Sequence, residues 1–102
     1  MFITHTLALA MLQATPTPAD QADAKCVFAM TMLGETASAT DKSGLDMTMS
    51  FFLGKIVGRS GAAMLGPAME AVAASMQAGG VAGAAKLAER CADEFERATG
   101  TM

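Results

Sequence analysis

Two cysteines, Cys26 and Cys91, sit 65 positions apart in a chain of 102 residues, and their setting restricts the fold more than any other feature. Each lies on an apolar stripe of helical period. Ala22, Cys26, Ala29, Met30 and Leu33 make the first, and Ala84, Leu87, Ala88, Cys91, Phe95 and Ala98 the last. A bridge between them would tie the two ends of the domain together and stabilise it by roughly 4 kcal/mol through loop-closure entropy. The competing arrangement is a pair of buried reduced thiols, since cysteine is often buried without a bond. A zinc site is not supported, because there is no Cys-x-x-Cys and His5 is the sole histidine.

The compartment decides between bridge and thiols, and the N-terminus speaks to it. Met1 to Ala19 carries no Lys, Arg, Asp or Glu; an apolar centre from Leu7 to Leu12 precedes a stretch of small and polar residues. That is the order of an export leader, with cleavage after Ala14 or Ala19, and it predicts a periplasmic or secreted protein in which disulfides persist. The domain division is therefore 1–19 as signal peptide and 20–102 as one helical domain. His5 leaves with the leader, so the mature chain has no imidazole. The apolar run is too short for a membrane span, which needs about 20 residues.

With 52% hydrophobic and 17% charged residues the chain can fill a core. Its formal charge of −3 comes with seven scattered Lys and Arg, which excludes the clustered positive field of a nucleic-acid surface. Abundant Ala and Met with few β-branched residues predict an all-α fold of four short helices. The first starts at Thr17-Pro18-Ala19-Asp20, with Thr as cap and Pro in the first turn, and stops at Gly34. A polar connection follows from Glu35 to Gly44, with Asp41 or Ser43 as the next cap. Leu45 to Arg59 is the second helix, Pro67 opens the third, Gly79-Gly80 ends it, and the fourth runs to Gly100.

In the second helix Ser50, Gly54 and Gly58 form a smooth strip at intervals of four, on which another backbone can pack closely. We expect it to receive a helix of the same fold; left open, it would serve a partner. Phe28, Met49, Phe51, Phe52 and Met69 are the candidates for lining a pocket for a small apolar ligand. Met30-Thr31-Met32 and Met47-Thr48-Met49 suggest a soft-metal grip, but residues two apart diverge by about 200° on a helix and cannot share one ion. Methionine is better read as an adaptable apolar filler or contact surface. No nucleophile has a base at motif spacing, and Gly79 to Gly83 lacks the Lys-Ser of a phosphate loop, so we expect neither enzyme, cofactor nor metal.

Cys26-Val27-Phe28-Ala29, Phe51-Phe52-Leu53-Gly54-Lys55-Ile56-Val57-Gly58-Arg59 and Arg90-Cys91 resemble a group of small, uncharacterised, exported two-cysteine proteins of alphaproteobacteria. The resemblance spans about Lys25 to Arg97, implies export and the disulfide, and implies no reaction. Four short helices with one long-range disulfide are similar in plan to the acid-stress chaperones of the HdeA type, an architectural analogy without a shared motif. The expected function is an exported, non-enzymatic helical protein that presents apolar surface to a protein partner, to a second copy or to unfolded clients. The alternative is a carrier of a small apolar ligand. For client capture, acid would neutralise the 10 Asp and Glu and swing the charge from −3 to about +7, loosening the helices around the disulfide.

Overall fold

A computed structural model describes residues 15–100. Residues 1–14, which include His5 and most of the expected leader at 1–19, lie outside the described residues. The described chain is helical, with no strand among those residues. Helix α1 spans Pro18–Gly34, α2 Ala39–Ser60 and α3 Leu65–Thr99, with a single 3-10 turn at Ala62–Met64 before α3.

Each boundary has a local cause. At the start of α1 the Thr17 hydroxyl accepts the Asp20 N–H while the Asp20 carboxylate accepts the Thr17 N–H, a reciprocal cap that Pro18 reinforces as first helical residue. Helix α2 begins earlier than the sequence predicts. Ser38, and neither Asp41 nor Ser43, is its cap, accepting the Asp41 N–H at 3.2 Å, so the polar connection is helical from Ala39 onward. Gly61, at φ 89°, ends α2 in a conformation that side chains rarely adopt.

Three helices stand where four were expected. The Gly79-Gly80 stop is present inside α3: Gly80, at φ 65°, ψ −169°, is not helical, so the 35-residue element is two helical segments joined directly at a kink with no connecting loop. That backbone region is open essentially to glycine alone. Gly80→Ala should therefore cost about 1 to 3 kcal/mol, whereas Gly54→Ala, in open helical surface, should gain up to about 1 kcal/mol. Thermal melts of the two variants check this, and a harmless Gly80→Ala would show that the bend tolerates a side chain.

Helix α1 is the centre of the packing. It lies against both α2 and α3, which meet one another only sparingly. Two apolar clusters result. One gathers Ala24, Ile56, Val72 and Met76 and runs along α3 from Ala68 to Ala84; the other gathers Val27, Met30, Phe52 and Cys91 and uses α3 from Ala88 on. Phe52 and Ile56 are fully buried, so α2 enters both clusters through one face. Cys26 and Cys91 form the disulfide, with Cα atoms 5.8 Å apart, and it joins the first and last helices.

Candidate functional site

The charged residues of α1 do not all face water. Asp20 and Asp23 fall on the same stripe as Val27 and Met30, and the stripe is the buried one, leaving Asp20 0% and Asp23 5% exposed. A buried carboxylate needs a counter-charge and hydrogen bonds. Here they come from the end of α2. Arg59 reaches Asp20 at 2.7 Å and Asp23 at 2.6 Å, and Ser60 donates to the Asp20 carboxylate at 2.8 Å. Lys55 lies 3.1 Å from Asp23, also pairs with Glu94 of α3, and sits 5.2 Å from the centre of the Phe52 ring. No buried polar side-chain atom among the described residues lacks a partner. The cluster clamps the start of α1 to the end of α2 and reaches α3.

The electrostatics follow from the contacts. Burial alone would raise the Asp20 pKa, but the hydrogen bonds from Ser60, from the Thr17 backbone and from Arg59 outweigh it and hold the carboxyl at about 2. Burial pulls the Lys55 pKa down, and the hydrogen bonds to Glu94 and Asp23 overcome it, so the ammonium is held more firmly than usual. Arg59 moves upward through its bonds to Asp23 and Asp20. Asp20 is held below, and Lys55 and Arg59 above, their ordinary values, so these three groups are fitted to hold charge rather than to exchange protons.

At the other end of α1 the three helices leave an apolar groove of about 640 Å3. Met30, Leu33, Leu45 and Met47 line it from α1 and α2, and Ala88 and Phe95 from α3. Met30 is buried beneath it, while Met47 is 61% exposed on its wall. Asp41, Glu89 and Glu96 stand in the lining with no Lys or Arg among them. The ion pairs found among the described residues all belong to the Lys55–Arg59 clamp, so these three carboxylates have no cationic partner there.

The residues singled out by sequence fall in several places. Cys26 and Cys91 meet, as expected. Ser50, Gly54 and Gly58 lie together on the exposed side of α2, and a side-chain carbon built on either glycine meets nothing within 4 Å. The strip therefore receives no helix of its own fold, because the narrow apolar face through Phe52 and Ile56 takes that role. Phe28, Met49, Phe51, Phe52 and Met69 do not converge on a pocket. Phe28 packs with the first cluster, Met49 and Phe51 pack around Phe52 in the second, and Met69 touches both. Sequence reasoning missed the clamp, although a signal was present: Asp20, Asp23, Val27 and Met30 keep one helical register, so two acids stand on a core stripe. It also missed the groove, which depends on where three helices diverge.

Among the described residues no helix is long and apolar enough to cross a membrane, and no group of acidic, His or Cys side chains is arranged to hold a metal ion. Comparison with family models, with curated proteins and with solved structures finds no match to this chain.

Proposed function

We propose that the protein is an exported, non-enzymatic binding module whose groove takes an apolar segment of a protein partner, and that this segment is a basic amphipathic helix. The observation that carries the reading is the pairing of a methionine-bearing apolar lining with three carboxylates that have no counter-charge among the described residues. Met30 and Met47 supply an adaptable surface, and the carboxylates favour a cationic flank and disfavour an acidic one. A filled core around Phe52 and Ile56 supports the binding module over the ligand carrier, which would need its aromatic side chains to line a cavity. The disulfide supports an oxidising compartment.

Titrating the oxidised protein with a fluorescent amphipathic Leu/Lys peptide, and with its Leu/Glu counterpart, tests this at neutral pH. The Leu/Lys peptide should bind, more weakly as salt is added, and the Leu/Glu peptide should bind at least about tenfold less well. Met47→Asp should remove binding without lowering the melting temperature, since that side chain is largely exposed. Glu89→Lys with Glu96→Lys should reverse the preference between the peptides. Binding of neither peptide would overturn the groove as a docking site, and equal binding of both would overturn the basic partner.

A further inference from the structure

We infer that export, on the reading just given, is completed by a cut between Ala14 and Thr15, so that the working protein begins at Thr15 and keeps the five residues up to Ala19. The two candidate positions are unequal on sequence grounds. A signal peptidase prefers a small residue three positions before the cut, which Thr17 provides for a cut after Ala19 and Leu12 does not provide for one after Ala14. The fold points the other way.

Residues Thr15 to Ala19 belong to the folded domain. The Thr17 hydroxyl accepts the Asp20 N–H at 3.0 Å, and the Thr17 N–H donates to the Asp20 carboxylate at 3.1 Å. Pro18 and Ala19 are the first two residues of α1, and the Gln21 side chain reaches back to the Pro16 carbonyl at 3.5 Å. The carboxylate that Thr17 serves is the fully buried one on which Arg59 and Ser60 also converge. A cut after Ala19 would remove the helix cap, its proline and one of the hydrogen bonds to Asp20 in a single step. It would also place a new α-ammonium on Asp20, inside the first turn, where the helix dipole is already positive. A leader consists of residues that the finished protein does without, and Thr15 to Ala19 do not satisfy that condition.

Two measurements test the inference. The complete chain is produced in a bacterium with a periplasm, and the intact mass of the exported protein is read before and after reduction. Loss of residues 1–14, with two hydrogens missing for the disulfide, is the expected result. A mature protein that starts at Asp20 overturns the inference and leaves export standing, whereas a full-length chain retained in the cytoplasm overturns the export reading and the inference with it. In parallel, chains 15–102 and 20–102 are made directly, oxidised and melted. The shorter chain should melt about 5 to 10 °C lower, as expected for losing a cap and its coupled hydrogen bond. Identical melting would show that the fold makes no use of these residues and would remove the ground for the inference.

Discussion

Cys91→Ser should melt roughly 15 to 30 °C below the oxidised parent, the largest effect expected of any single substitution here. The disulfide closes a loop of 65 positions, and in the chain-entropy model that restricts the unfolded state by roughly 4 kcal/mol. A domain of this size has a total stability of only about 5 to 15 kcal/mol. The bond also lies where α1 meets the second half of α3, with Cys91 1% exposed, so the serine would bury a hydroxyl among Val27, Met30 and Phe52. Reducing the parent with a thiol separates the two contributions, because reduction removes the crosslink and leaves no hydroxyl. Coincident melting of oxidised and reduced parent would show that the crosslink contributes nothing.

Arg59→Ala should be the next most damaging change, at about 2 to 3 kcal/mol. It strips the counter-charge from two buried carboxylates, while Ser60, Thr17 and Lys55 remain to hold them. The value lies at the low end for breaking a buried pair because the arginine side chain is itself 32% exposed. The pH dependence carries the same signature. The Asp20 carboxyl is depressed from 3.8 to about 2 on folding, so its contribution is complete above 3.8 and is lost as the pH falls towards 2. Discounted for a partly exposed partner, it amounts to about 1 to 2 kcal/mol. Lys55 behaves in the opposite sense: its raised pKa stabilises the fold fully below 10.5, and that contribution fades as the pH rises beyond its folded value. Chemical unfolding from pH 2 to 6 should show a steep acid limb in the parent and a shallower one in Arg59→Ala. Identical acid limbs would show that the arginine does not set the acid response. If acid also produces client capture, apolar-dye binding should rise over the same interval as the clamp fails.

The class of the fold and its crosslink were readable because both depend on local pattern: Ala-rich stripes at helical spacing, and one cysteine on each of two such stripes. The turn positions at Gly34 and Gly79-Gly80 were readable for the same reason. What was not readable is that the segments on either side of Gly80 follow one another without a loop and form one kinked element, because that depends on the two dihedral angles of Gly80 rather than on composition. The clamp was hidden because its halves lie 36 to 40 positions apart, and an acid on a helix is by default read as solvated. Ser50, Gly54 and Gly58 misled in the opposite direction. Small residues permit close approach, but the larger burial available through Phe52 and Ile56 set the rotation of α2 and turned the strip outward.

The central place of α1 gives the native state an uneven connectivity. Helix α3 is bound to α1 by a covalent bond, whereas α2 is held by apolar contact and the ionic clamp and leans little on α3. Detaching α2 therefore leaves a two-helix body still crosslinked, with the detached helix tethered to it by the turn at residues 35–38 and by the segment after Ser60. Such a partly opened form would expose the Phe52 and Ile56 face; because the disulfide persists in it and in the oxidised unfolded chain alike, the two differ by the α1–α3 contacts that the partly opened form keeps.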